Sequence, residues 1–291
     1  MVTEDATAVN FKGAPRAWNT DPFAWIKTAV IVGLIGMLYA AVIPDLASEW
    51  WTEESSSYGM LVPPMALYIA YLRRQVTFAI PAKPDLRGLW LVFLACLTFM
   101  VGHLAAEFFL SRISFVLLLA GLTWTFWGSG RFRTLVFPFV LLGTMVPLPA
   151  LVYNALTTPL QLFASRVATD LAQMMGVSIY RDGNIIHLAT TTLGVAEACS
   201  GLNSLTSLLV ASLLLGFLAD ASLVGRILLF FLSVPLAIVV NVIRVTGTAL
   251  LADYRPELAT GFYHTFSGWL IFLLGFAALW AIGKCSTCWR R

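Results

Sequence analysis

Runs of about 20 predominantly apolar residues recur along the chain, the length that carries an α-helix across the hydrocarbon core of a bilayer. Nothing else in the sequence constrains the fold as tightly. A segment in lipid must satisfy its backbone groups internally, and only helices or closed barrels do so. Eight runs are legible: Trp25–Ile43, Tyr58–Leu72, Gly88–Gly102, Ala106–Trp127, Thr134–Tyr153, Ser200–Leu218, Val224–Ile243 and Phe266–Ile282. The second and third are short. The pattern predicts an all-α, polytopic transmembrane helical bundle forming a single membrane-embedded domain over residues 1–291, with polar tails over 1–23 and 283–291. Only 11% of the residues are charged, against about 25% in a soluble domain. That is too little polarity to cover a water-soluble globule. No small-residue cleavage site follows the first run, so it is expected to stay as a span.

Eight spans put both termini on one side of the membrane. Of the 18 Lys and Arg residues, Arg112, Arg166, Arg181, Arg244 and Arg255 fall on one face and the other 13 on the opposite face. The positive-inside bias makes the richer face, with both termini, cytoplasmic. The expected location is the cell inner membrane, multi-pass. Two segments then face outward. Asp45–Ser57 is acidic and carries Trp50 and Trp51. Asn154–Ala198 begins with an amphipathic helix over Leu156–Met175, suited to a membrane surface. It continues with Val177 and Ile179, the turn residues Asp182-Gly183-Asn184, then Ile185 and His187, an alternation that predicts a small β-hairpin. The net charge of +3 and the lack of a basic stripe argue against a nucleic-acid partner.

Ionisable groups at the ends of spans are candidates for function. Cys199 opens the sixth run, Arg244 closes the seventh and His264 opens the eighth, so three consecutive spans present one reactive group each to the outer face. A thiolate is the nucleophilic form of cysteine, and a helix N-terminus favours it. A histidine there can take the thiol proton and return it to a leaving amine. Arginine stays protonated and can hold a thiolate, a substrate carboxylate or an oxyanion. Asn241 lies three residues before Arg244 and Asn203 four after Cys199, each on its partner's helix face. Either amide could orient a catalytic group or simply bond between helices. Taken singly, each group has an ordinary reading as a core thiol, an interfacial imidazole or a snorkelling arginine.

The remaining polar groups read more plainly. Cys96 fits a small core residue, Arg112 beside Glu107 a structural ion pair, and His103 and His187 ordinary loop and hairpin residues. Cys285 and Cys288 form one CxxC without the further ligands a zinc site needs. No metal or cofactor is expected.

Glu197-Ala198-Cys199-Ser200-Gly201-Leu202, followed by Asn241-Val242-Ile243-Arg244 and by His264 opening the last span, resembles the exosortase and archaeosortase family of membrane sorting enzymes. Phe137-Pro138 and Val146-Pro147-Leu148-Pro149 resemble that family's proline-marked fifth span, and the likeness runs from about Ser57 to Ile282. Where many relatives have Ser-His-Gly, this chain has Ser57-Tyr58-Gly59. The resemblance implies a cysteine peptidase or transpeptidase with Cys199 as nucleophile, His264 as acid–base and Arg244 as electrostatic stabiliser. It implies protein substrates with a C-terminal sorting signal of the PEP-CTERM type: a short motif, an apolar helix and a basic tail. The acceptor would be an amine, a lipid, a glycan or water. The alternatives are a multi-span transporter, with Arg244 binding an anion, and a structural component of a surface polysaccharide or protein export system. The transporter reading has no internal repeat to support it.

Overall fold

A computed structural model describes residues 22–53, 55–189, 191–195, 202–219, 222–255, 257 and 261–288. The chain divides into two units, Met1–Pro44 and Asp45–Arg291. The first contributes α1 (Pro22–Leu38), whose Trp25, Val30, Val32, Leu34 and Met37 are all exposed. Apolar residues on every side of a helix suit lipid rather than water.

The second unit starts within α2 (Val42–Thr52) and continues through a 3-10 turn (Ser57–Leu61), α3 (Val62–Leu72), α4 (Arg74–Ala79), α5 (Gly88–Leu104), α6 (Phe108–Gly143) and α7 (Ala150–Met174). A three-stranded sheet follows, β1 (Ile179–Asp182), β2 (Ile185–Leu188) and β3 (Thr192–Gly194), and then α8 (Leu202–Leu218), α9 (Leu223–Tyr254) and α10 (Gly261–Cys288). Among the described residues, three helices are long and apolar enough to cross a membrane: Phe108–Gly143, Leu223–Tyr254 and Phe266–Lys284. A fourth is added if 25–38 and 42–52 are counted as one span. The apolar helices at Ser57–Leu72, Gly88–Leu104 and Leu205–Leu218 coincide with the second, third and sixth expected runs but fall short of the length of the three spanning helices.

The fourth and fifth expected runs are the two arms of α6. A straight helix would hold residues 113 and 143 about 45 Å apart. Instead Ile113 Cδ1 lies 3.8 Å from where a Cβ on Gly143 would stand, so the helix doubles back. The bend is Gly128, at φ 81 and ψ 168, a region closed to residues with a side chain. A Cβ there would also collide with the Lys83 carbonyl. The loop bearing Lys83 is tied down by Asp85, whose N–H donates to Thr125 O (3.1 Å) and whose carboxylate accepts from Arg87 N–H (3.0 Å) and Trp124 Nε1 (3.3 Å). The Arg87 N–H above all, with Trp124 adding to it, holds the Asp85 carboxyl below its usual range. α5 packs antiparallel on the first arm, and Gly88, Gly102 and Gly121 let the two backbones touch. The fifth run was expected to continue to Tyr153, but α6 ends at Gly143. Pro147 and Pro149 break the helix before α7 begins.

Two cores result. One joins Leu46, Val62, Ala66 and Ile69 to Val116, Leu141, Met145 and Phe217. The other sets Ala164, Ala168 and Ala172 of α7 against Ile179, Ile186, Leu188 and Leu193 of the sheet and Val242, Val245, Ala249 and Ala252 of α9. The alanines recur every four residues and form the inward stripe of α7, while Leu162, Phe163 and Leu171, part of the apolar spacing that marked this helix in the sequence, are exposed. Cys96, expected in the core, is exposed on α5. An apolar run does not separate a lipid-facing residue from a core one, because both faces of a span are apolar.

Candidate active site

α9 is longer than the seventh run. It continues to Tyr254, so Arg244 lies within the helix, about 15 Å short of its end, rather than closing it. Its backbone carbonyl accepts from Thr248 Oγ1 (2.9 Å). The guanidinium rests on α10. A Cβ added at Gly268 would stand 3.0 Å from Nη2 and 3.1 Å from Cζ of Arg244. His264 precedes Gly268 by four residues in the same helix, one turn away on the same face. The backbone of the His264 turn is thus brought beside Arg244, and the description of His264 extends no further than its backbone.

Asn241, one turn before Arg244 on α9, is 4% exposed. Its Oδ1 accepts no hydrogen bond among the described residues. It faces a cavity of about 10 Å³ shared with Leu160 and Ala164 of α7, Leu205 of α8, and Ala237 and Ile238. A cavity of that size holds one water. A buried amide oxygen left without a partner costs about 1–3 kcal/mol. Through Leu205 the first turns of α8 reach Asn241. Asn203 belongs to those turns by its backbone. Cys199 lies outside the described residues, and so does the whole segment from Glu197 to Gly201.

A second region holds a cavity of about 570 Å³. Asp45, Glu49 and Glu53 line one wall, Glu107, Phe108 and Arg112 another, and Pro147, Pro149 and Tyr153 a third, with Tyr58 and Thr206 completing it. Arg112 is 5% exposed and bridges two carboxylates, Nη2 to Asp45 Oδ2 (2.7 Å) and Nη1 to Glu49 Oε2 (2.6 Å). Glu107, the partner expected from sequence, instead caps α6, its Oε2 accepting from Leu110 N–H (2.8 Å). Four carboxylates against one guanidinium leave the cleft acidic, a field that favours cationic ligands. Sequence reasoning did not find this cleft. The available signal was the spacing of Asp45, Glu49 and Glu53, every fourth residue and hence one helical face.

The other expected groups are structural here. His103 stacks on Phe99 and His187 on Tyr180. No group of three or more His, Cys, Asp or Glu among the described residues could hold a metal ion.

A family model described as transmembrane exosortase matches residues 50–281. No curated protein and no solved structure matches the chain.

Proposed function

The chain belongs to the transmembrane exosortase family, and from that premise we propose that it is a membrane cysteine peptidase or transpeptidase acting on the C-terminal sorting signal of surface-targeted proteins. The supporting observation is the Arg244 guanidinium lying on Gly268, one turn from His264. In this reading the chain crosses the inner membrane eight times with both termini cytoplasmic. The acidic segment expected to face outward, Asp45–Ser57, meets 106–109 and Arg112 of the fourth run and 147–150 and Tyr153 of the fifth, at the ends expected to face outward, around one cleft, which supports that arrangement.

The substrate's own apolar helix docks against the bundle and its motif reaches the outer interface. The Cys199 thiolate adds to the scissile carbonyl carbon, and its electron pair moves onto the oxygen. Arg244 stabilises that oxyanion. The C–N bond then breaks, and His264 protonates the departing amine. A thioester remains on Cys199. Water or an acceptor amine attacks it, loses a proton to His264 and releases the thiolate. Asn241 supports the helix that carries Arg244, and Asn203 the helix that follows Cys199.

The test uses full-length protein in cells that make a surface protein with a C-terminal motif, apolar helix and basic tail. Cys199→Ala abolishes processing, and intact-protein mass spectrometry of the wild type trapped at low acceptor concentration finds the acyl adduct on Cys199. Processing that survives Cys199→Ala overturns the nucleophile assignment.

A further inference from the structure

The cleft beside α2 holds polar groups that the fold itself does not use. Arg112 answers Asp45 and Glu49, and Glu107 caps α6. The Glu53 carboxylate lines the same cleft and makes no ion pair or hydrogen bond among the described residues. Ser56 supplies a second such group. Its N–H donates to Glu53 O (3.0 Å) and its carbonyl accepts from Gly59 N–H (2.9 Å). Its hydroxyl has no partner among the described residues. Yet Ser56 is only 7% exposed and lines the cleft. A serine buried to that degree ordinarily bonds its hydroxyl to the protein or to an ordered molecule. The turn from Glu53 to Ser56 therefore presents a carboxylate and a hydroxyl side by side, and the fold engages neither.

Fixed contacts hold the walls in place. Trp50 Nε1 donates to Met145 O (3.0 Å), which ties α2 to the loop after α6. The Arg112 pairs tie it to α6 itself. Phe109, Pro147, Leu148 and Pro149 add apolar surface to the carboxylates. The cavity of about 570 Å³ falls within the range of about 300–1,000 Å³ found for small-molecule sites, which combine an apolar lining with a few placed polar groups.

We propose that this cleft binds a small primary ammonium ion carried on a short apolar stem, its N–H donors received by the Glu53 carboxylate and the Ser56 hydroxyl. Such a site holds whether or not the chain is a peptidase. The charge of the cleft decides the sign of the ligand, since four carboxylates against one guanidinium repel an anion. The spacing of those carboxylates decides against a metal. A divalent cation needs several donors gathered at one point, and no such group exists among the described residues. An ammonium is less demanding. It has three donors and is satisfied by one carboxylate and an acceptor or two beside it. Its carbon stem then covers the proline and leucine surface. A soluble amine and the headgroup of an amine-bearing lipid both supply this chemistry.

The test titrates n-butylammonium chloride into full-length protein in phosphatidylcholine nanodiscs, followed by saturation-transfer NMR. Binding saturates with a Kd on the order of 1 mM, the scale open to so small a probe. 1-Butanol, with the same stem and no charge, does not bind. Glu53→Gln weakens binding about tenfold, the loss of one hydrogen bond to a charged group, and Ser56→Ala about fivefold, the loss of a neutral one. Thermal unfolding of both variants matches the wild type, because neither side chain has a partner in the fold to lose. Nanodiscs that include phosphatidylethanolamine separate the two sources: its headgroup displaces the probe if the lipid is the ligand, and leaves it bound if a soluble amine is. Absence of saturable binding, equal binding of 1-butanol, or undiminished binding to either variant overturns the site.

Discussion

Arg112 and Arg244 both lie within long apolar helices, and the sequence expects both on the face poorer in cations. Their surroundings differ. Arg112 is almost wholly buried, and both terminal nitrogens are engaged by Asp45 and Glu49 across α2 and α6. Its role is to let two helices bring carboxylates together at the wall of a cleft. Arg244 lays its guanidinium on a glycine of the helix that carries His264. Gly268 keeps that face of α10 low enough for a planar cation to sit one turn from an imidazole-bearing residue. The Arg112 ion pairs join two elements, whereas under the proposed function the Arg244 guanidinium serves chemistry. The acidic cleft and the α9–α10 contact therefore differ in kind.

Substitutions separate the two regions most sharply at Arg244. Arg244→Ala lowers processing of the anchored substrate by about a hundredfold or more, the scale of one lost oxyanion donor. Arg244→Lys recovers little of it, since an ammonium cannot reproduce the planar fork. A lysine variant with near-wild-type turnover would leave Arg244 as a simple positive charge. At Arg112 the effect moves from activity to stability. Removing a buried cation strands two carboxylates, but Asp45 is 49% and Glu49 29% exposed, and water recovers part of the loss. Arg112→Ala therefore destabilises the detergent-solubilised protein by about 2 kcal/mol, seen as faster thermal inactivation with unchanged turnover per folded molecule. If Arg112→Ala instead removes turnover at full stability, the contrast between the two arginines is wrong. The smallest effect is at Gly268→Ala. The new methyl meets Nη2 and Cζ of Arg244 at 3.0 and 3.1 Å, so the guanidinium shifts by a few tenths of an ångström. Processing falls about tenfold by misplacement, while helix propensity holds or raises thermal stability. Equal losses in both readouts would make Gly268 a packing residue only.

Sequence periodicity read some elements well. The turn at Gly183 and the alternation around it carry the β1–β2 hairpin, and the helical spacing of Leu160, Leu162, Phe163, Val167 and Leu171 carries α7, although Leu162, Phe163 and Leu171 are exposed and the buried stripe is Ala164, Ala168 and Ala172. β3 escaped because Thr192–Gly194 is three residues long, too short for a period of two to register. Gly128 was legible as an interruption between two runs, but not as a single-residue reversal within continuous helical bonding. The Gly268 contact left no sequence signal at all, since a glycine in an apolar helix has many uses.

The need to satisfy every backbone group in lipid is local, and it acts on each apolar run separately. For that reason the chain's sequence alone determined that it is helical, where its polar segments fall, and which few residues carry reactive groups. Contacts between residues far apart in the chain have no such local imprint. Only the packed structure decided that α6 turns back at Gly128, that Arg112 answers to Asp45 and Glu49 rather than Glu107, and that Arg244 lies against Gly268. Each depends on how closely two helices approach, and that distance is set by the shapes of both.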